Sequence, residues 1–151
     1  MPGSFTESNT LGRILAIDYG TKRTGIAVTD PLRIIPGGLC TVSTHELSAF
    51  LADYMSREQV DVIVMGLPTN MNGEDSASMK QIRPFTEKLR KQYPDKKIVM
   101  FDERFTSVLA QRAILDSGIG KMARRNKALV DEVSATIILE SFMDSKLYKE
   151  I

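Results

Sequence analysis

The sequence predicts a three-layer α/β domain in which a mixed five-stranded sheet lies between helices. Three observations favour this fold class. Short apolar runs bounded by turn residues recur along the chain, helical apolar spacing separates the later runs, and two strands follow helices long enough for a parallel crossover. With 151 residues, 42% hydrophobic and 26% charged, the chain has the size and composition of one such domain. The predicted order is β-β-β-α-β-α-β-α-α.

The segment 13–29 predicts a β-hairpin. Ile14 to Asp18 is an apolar run without alternating polar residues, which is typical of a strand buried on both faces. Tyr19 to Arg23 has the composition of a turn, and Thr24 to Thr29 is a second β-rich run. The segment 34–42 is interrupted by Pro-Gly-Gly and therefore predicts a broken or edge third strand.

Helices and strands alternate in the rest of the chain. Ser43 or Thr44 is expected to cap a helix that ends near Arg57, and the apolar run 60–65 predicts a strand parallel to the first. The later predicted elements are a polar loop over 69–76, a helix over 79–92, a strand over 97–101, a helix from Thr106 or Ser107 to about Asp116, and a helix from about Lys127 to Lys146.

Composition restricts the compartment and the chemistry. Residues 1–11 resemble no secretion signal and predict a flexible leader ahead of a domain over 12–151. No apolar run approaches the roughly 20 residues that span a bilayer, and the single cysteine, Cys40, fits a cytoplasmic protein. With one cysteine and one histidine, His45, neither a zinc cluster nor a serine–histidine triad is expected, so catalysis would depend on carboxylates.

Three acidic residues occupy positions where a charge is costly to bury. Asp18 ends the first strand, and Glu103 follows the fifth strand on the face shared with Val99 and Phe101. Asp131 lies at the edge of the apolar stripe on the last helix. We expect the three carboxylates to meet at the carboxyl edge of the sheet and to hold one or two Mg²⁺ or Mn²⁺ ions, which could activate a water for phosphodiester cleavage. The stripe is predicted to comprise Val130, Val133, Ser134, Ile137, Ile138 and Ser141, with Glu132 facing away.

Each acid also has a structural interpretation. Asp18 could accept hydrogen bonds from the amides of the turn that follows it. Asp131 could form an ion pair with Arg104 or Lys127. Strand-end acids are common in α/β domains, so position alone does not decide between the two interpretations.

Four segments resemble those of the YqgF/RuvX family, within the RNase H-like superfamily that includes the RuvC Holliday-junction resolvases. They are DYGTKRTG at 18–25, VMGLP at 64–68, DERFT at 102–106 and VDEVSA at 130–135. The resemblance implies an RNase H-like fold and a divalent-metal nuclease site. By motif position it assigns Asp18, Glu103 and Asp131 as the acidic triad.

The resemblance also implies a nucleic-acid substrate. Family members are described as nucleases that process the 5′ end of pre-16S rRNA, and older descriptions name them Holliday-junction resolvases. The first description implies a phosphodiester hydrolase acting on precursor rRNA. The second implies cleavage of branched DNA, which would favour a homodimer over a monomer. The cations expected to contact backbone phosphates are Lys22, Arg23, Arg104, Lys121, Arg124, Arg125 and Lys127.

Two further classes of function stay open. The pattern Asp-x-Gly-Thr followed by Thr-Gly also resembles the first phosphate loop of the actin and sugar-kinase superfamily, although such an ATPase needs a second domain that 151 residues do not provide. The other class is a nucleic-acid-binding or ribosome-binding module without turnover. Three retained acids argue against the module, because an unused acidic cluster only costs stability.

Overall fold

The computed structural model describes residues 12–67, 79–102, 127–145 and 148 of the chain. Five strands and three α-helices lie within these ranges. In chain order they are β1 (Arg13–Asp18), β2 (Arg23–Thr29), β3 (Pro36–Ser43), α1 (Leu47–Arg57), β4 (Val60–Leu67), α2 (Met79–Gln92), β5 (Lys97–Asp102) and α3 (Lys127–Met143).

The strands form one mixed sheet in the order β3-β2-β1-β4-β5. β1, β2 and β3 are antiparallel neighbours, whereas β4 pairs in parallel with both β1 and β5. The parallel pairing of β1 with β4 follows from the α1 crossover, because a chain that returns through a helix enters the sheet in its original direction. The predicted mixed sheet and the predicted edge position of β3 are both confirmed.

Two apolar clusters on opposite faces of the sheet produce the three layers. Alternation along β1 divides its four fully buried residues between them: Leu15 and Ile17 belong to the cluster with α1 and α2, whereas Ile14 and Ala16 belong to the cluster with α3. Burying a leucine or isoleucine side chain contributes roughly 1.5–3 kcal/mol. β1 therefore joins both halves of the core, and its carboxyl end is fixed from both sides.

The start of α1 differs from the prediction. A 3₁₀ turn, Thr44–Glu46, precedes the helix, and Ser43 makes no side-chain capping hydrogen bond. The Thr44 hydroxyl does not cap the helix either, because it donates to the carbonyl oxygen of Gly20 at 2.6 Å. The hydroxyl predicted to begin a helix instead holds the turn between β1 and β2.

The helices agree with the sequence to different degrees. α2 has the predicted bounds and accommodates Pro84 within its second turn. α3 begins where predicted but ends at Met143, three residues before the expected Lys146. Within the described ranges no helix is both long enough and apolar enough to cross a membrane. The predicted leader over 1–11, the loop over 69–76 and the helix over 106–116 lie outside the described residues.

Candidate active site

Asp18 is the last residue of β1 and is half-buried. Ile14 and Ala16, two and four residues earlier, pack in the cluster under α3. Because side chains alternate along a strand, Asp18 continues that row at the carboxyl edge of the sheet. The carboxylate therefore lies on the α3 face of the sheet, where the buried part of the strand ends.

The strand neighbours of Asp18 on both sides are glycines. Gly25 of β2 is directly opposite Asp18. On β4, Met65 is level with Ile17, so Gly66 is the next residue beside Asp18. Both glycines lie on the α3 face by alternation with Ala27 and with the buried valines of β4. Neither neighbouring strand therefore contributes a side chain beside the carboxylate.

The carboxyl end of β5 lies at the same edge of the sheet. β5 runs parallel to β4, with Phe101 level with Gly66. Val99 and Phe101 pack in the α3 cluster. Glu103 follows the last residue of β5 and lies outside the described residues. Both strands end at this edge with β4 between them, so β1 and β5 are about 10 Å apart, or two strand spacings, and the meeting of the carboxylates stays a prediction.

The buried face of α3 differs from the predicted stripe. Its fully buried residues are Ala135, Ile138, Leu139 and Phe142, whereas Val133, Ser134, Ile137 and Ser141 are partly exposed. Position 131 lies four residues, or about one helical turn, before the buried Ala135, and the prediction that Asp131 is at the edge of the stripe is not tested. The side chains of 127–131, including those of Asp131 and Lys127, lie outside the described residues.

Glu132 does not face away from the sheet as predicted. A Cβ atom added to Gly38 of β3 would lie 3.5 Å from the Glu132 Cβ and 3.6 Å from its Oε2. The side chain therefore lies against the edge strand, where its charge adds to burial in raising the pKa of Cys40. At the other end of α3, the ring of Phe142 packs edge-on against that of Phe101, with 6.1 Å between centroids. α3 thus crosses the sheet from β3 to β5, and β1 lies between.

The turn after Asp18 is fixed by hydrogen bonds. The Thr44 amide donates to the Lys22 carbonyl at 3.0 Å, and the Thr44 hydroxyl donates to the Gly20 carbonyl. The hydroxyl groups of Thr24 and Thr44 are 2.9 Å apart. A side chain at Gly20 would collide with the backbone carbonyl of Arg23, so the turn requires glycine there.

The structure describes the side chains of only some of the residues predicted to contact phosphate. Lys22 is exposed in the fixed turn after Asp18, and Arg23, the first residue of β2, is half-buried. Arg104, Lys121, Arg124 and Arg125 lie outside the described residues. The two predicted cations whose side chains are described therefore follow Asp18 within five residues of the chain.

Tyr19 connects this edge of the sheet to α2. Its side chain is 9% exposed, its ring centroid is 5.5 Å from that of Phe85, and its hydroxyl donates to Gln81 Oε1 at 3.3 Å. Burial raises the pKa of its phenol. Tyr19 is a core residue, so it does not present a free ring face on which a base could stack.

Sequence reasoning overlooked the charge of α2. The helix carries five cations and one acid: Lys80, Arg83, Lys88, Arg90, Lys91 and Glu87. All six residues are exposed. The amphipathic pattern that predicted the helix also contained this excess of cations, which could have been found by plotting charge on the helical wheel.

Among the described residues no group of three or more His, Cys, Asp and Glu side chains is placed to hold a metal, and Asp18 is the one predicted ligand whose side chain is described. Burial raises the pKa of Cys40, which disfavours the thiolate that would bind a metal.

Comparison with known proteins identifies the family. The family model RuvX, described as Holliday junction resolvase, matches residues 12–145. This chain belongs to the RuvX family. A relative from Porphyromonas gingivalis is 65% identical over 135 residues, which cover 89% of this chain and 98% of the relative. Relatives from Phocaeicola vulgatus and Flavobacterium johnsoniae are 56% and 49% identical and cover 91% and 90% of this chain, and 99% of each relative.

These three RuvX relatives carry the name "Putative pre-16S rRNA nuclease". A solved structure, that of Archaeoglobus fulgidus Pelota, matches over 98% of this chain and 40% of its own with 13% identity and a TM-score of 0.41, which is too weak to indicate a shared fold.

The described parts of the four RuvX motifs surround one edge of the sheet. The first motif, 18–25, runs from the end of β1 into β2, and the second, 64–68, includes the end of β4. The third, 102–106, begins at the last residue of β5, and the fourth, 130–135, forms the early turns of α3. Ligands of open α/β sheets bind outside the carboxyl ends of the strands, which is where three of these motifs lie.

Proposed function

We propose that this protein is a metal-dependent endonuclease that processes the 5′ end of pre-16S rRNA. The observation that carries the proposal is the family match over 12–145, together with relatives of which 98–99% is covered and whose name is that of a pre-16S rRNA nuclease. The position of Asp18 supports it, because a carboxylate at the carboxyl edge of the sheet suits a site for phosphodiester hydrolysis. We place the nuclease domain at 12–151, with 1–11 as a leader, in the cytoplasm.

We assign the metal ligands to Asp18, Glu103 and Asp131. Mg²⁺ and Mn²⁺ prefer oxygen donors, and the half-buried Asp18 carboxylate, with glycine on both neighbouring strands, fits such an ion. When bound, the ion supplies Lewis-acid stabilisation of charge on the phosphate. The protein residues supply the geometry: β1 holds Asp18 from both faces of the core, and α3 carries position 131 about one helical turn before the buried Ala135.

We assign the first phosphate contacts to Lys22 and Arg23. Lys22 lies in the turn held by Thr44 and Arg23 begins β2, so their backbone is fixed relative to the carboxylate. Arg104, Lys121, Arg124, Arg125 and Lys127 complete the proposed set. Contacts of this kind bind the backbone without reading sequence, so substrate choice would depend mainly on RNA shape.

The second candidate function is cleavage of four-way DNA junctions. The description of the matched family as Holliday junction resolvase favours it. A junction has two strands to cut, so this activity would require a homodimer with two sites, whereas RNA processing is compatible with a monomer.

Cleavage assays on both substrates would test the proposal. Precursor 16S rRNA and a synthetic four-way junction would be incubated with the protein and Mg²⁺, Mn²⁺ or a chelator, with Asp131→Asn as the matched inactive variant. We expect metal-dependent cleavage at the 5′ end of the rRNA that the variant lacks. Cleavage of the junction alone would establish the second candidate, and cleavage that persists in chelator would remove the metal assignment.

A further inference from the structure

α2 carries the largest net positive charge of the three described α-helices. Over 79–92 five cations and one acid give a charge of +4, although the whole chain has a net charge of only +1. The other two helices are neutral or acidic: α1 has one acid and one cation, and α3 has three acids and one cation. Among the described helices the positive charge is therefore concentrated on α2.

The cations occupy the outer face of the helix. Ile82 and Leu89 are buried and Phe85 is partly buried against the sheet, which directs the opposite face of α2 to solvent. Lys80, Lys88 and Lys91 are exposed along it. At 1.5 Å per residue, Lys80 and Lys91 are separated by about 17 Å along the axis, which is long enough to follow several phosphates of a nucleic-acid strand.

These lysines differ from the described arginines that form ion pairs. Arg13 pairs with Glu58, Arg33 with Asp61, and Arg57 with Asp53. The ion pairs formed between described residues include none of Lys80, Lys88 and Lys91. Their charge is thus available to an external anion, whereas the charge of the other pairs is largely neutralised within the fold.

α2 begins beside the candidate active site and leads away from it. Its first turns contact Tyr19, the residue after Asp18, through Gln81 and Phe85. Its carboxyl end lies at the opposite edge of the sheet, where Lys96 in the following loop donates to the carbonyl of Val60 at the start of β4. An RNA backbone that passes Lys22 at the active-site edge of the sheet would therefore reach α2 next.

We propose that the outer face of α2 binds the phosphate backbone of the RNA that flanks the cleavage site. The inference rests on the proposed nuclease function and extends it to the face of the sheet opposite α3. The RNA would pass from the carboxylates, around the turn at Lys22, and along α2. Phosphate is favoured over an acidic protein surface as the occupant because the cations are spaced along an extended row that is continuous with the active-site edge.

The salt dependence of RNA binding tests this surface. The probe is a fragment of precursor 16S rRNA that contains the 5′ processing site, bound by full-length protein in the Asp18→Asn background so that the RNA stays intact. Lys88→Gln/Lys91→Gln removes two charges from α2. The matched control, Arg57→Gln/Lys97→Gln, removes two charges elsewhere, because Arg57 is on α1 and Lys97 lies on the α3 face of β5. Thermal melts of all variants would verify folding.

We expect the α2 pair to reduce the slope of log K against log salt by about 1.5 and to weaken binding about tenfold near 0.1 M salt. The control pair should change the affinity less than about twofold. An unchanged slope in the α2 pair, or equal changes in both pairs, would overturn the proposal, and an unchanged slope would leave an acidic protein as the candidate occupant. Because intact RNA is measured, this outcome is separate from failure of the nuclease proposal, which would appear as absence of cleavage by the protein with Asp18 present.

Discussion

The two ends of the central strands each have a carboxylate, but the surroundings differ. At the amino end, Asp61 of β4 accepts hydrogen bonds from the Gly12 amide at 2.7 Å, from Gln59 at 3.1 Å and from Arg33 at 3.2 Å. At the carboxyl end, Asp18 has glycine on both neighbouring strands. The Asp61 network joins the beginning of two strands and a loop, which is a structural role. We expect neighbouring side chains, and not strand-end position alone, to distinguish a metal-binding carboxylate from a structural one.

The same substitution at both ends would test that distinction most strongly. We expect Asp18→Asn to reduce cleavage of precursor 16S rRNA by more than about 100-fold, because metal assistance is worth several kcal/mol and each 1.4 kcal/mol changes the rate tenfold. Asp61→Asn should retain the wild-type rate per folded molecule within about twofold. The measurement is single-turnover cleavage normalised to folded protein. Equal losses in the two variants would contradict the comparison.

Filling the space beside Asp18 would sharpen the comparison between the two carboxylates. Gly66→Ala adds a methyl group on the α3 face next to the carboxylate, and displacement of a metal ligand should lower metal affinity about tenfold. Titrating cleavage activity with Mn²⁺ and Mg²⁺ would show a shift of the half-maximal concentration. Gly37→Ala on β3 is the matched control, because nothing lies within 4 Å of the Cβ it would add. The same metal dependence in both variants would show that the glycine beside Asp18 has no role in metal binding.

The turn at the carboxyl end should resist substitution at Gly20. An added Cβ would collide with the Arg23 carbonyl, so Gly20→Ala must displace the backbone that carries Lys22 and Arg23. We expect the free energy of unfolding in urea to fall by about 1–3 kcal/mol, which is typical of overpacking. Gly37→Ala should change it much less. Unaltered stability in Gly20→Ala would mean that the turn relaxes freely and does not fix its cations.

Some features of the fold could be predicted from the sequence alone, whereas others depend on contacts between distant residues. The β1 run was predictable because burial on both faces leaves no polar alternation in Ile14 to Asp18. The buried face of α3 could not be predicted, because apolar residues occur around most of the helix. Only contact with the sheet determines that Ala135, Ile138, Leu139 and Phe142 are the buried residues. The role of Thr44 could not be predicted either, since its hydroxyl donates a hydrogen bond to the carbonyl of Gly20, a residue 24 positions away.

The position of the first predicted acid at a strand end could be read from the sequence, whereas its surroundings could not. An apolar strand that ends in a carboxylate is visible in one sequence, but the pairing of Asp18 with Gly25 requires the hairpin register, and the position of Gly66 requires the parallel register. The convergence of Asp18 with Glu103 and Asp131 stays a prediction. The charge of α2 was present in the sequence, but its relation to the site depends on the contact of Tyr19 with Gln81.

The smallest expected effect concerns the pH dependence of stability at the amino end. Burial alone would raise the pKa of Asp61, but hydrogen bonds from Gln59 and the Gly12 amide, with the charge of Arg33, outweigh it and lower the pKa. A carboxylate whose pKa is lowered by folding stabilises the protein above its unfolded-state pKa of about 3.9. That contribution is lost as the pH falls through the folded-state pKa. Wild type should therefore exceed Asp61→Asn in free energy of unfolding by about 1 kcal/mol at neutral pH, the scale of one hydrogen bond. The difference should shrink below about pH 4 in urea titrations, and a difference that stays constant down to pH 2 would show that the Asp61 charge does not stabilise this end of the sheet.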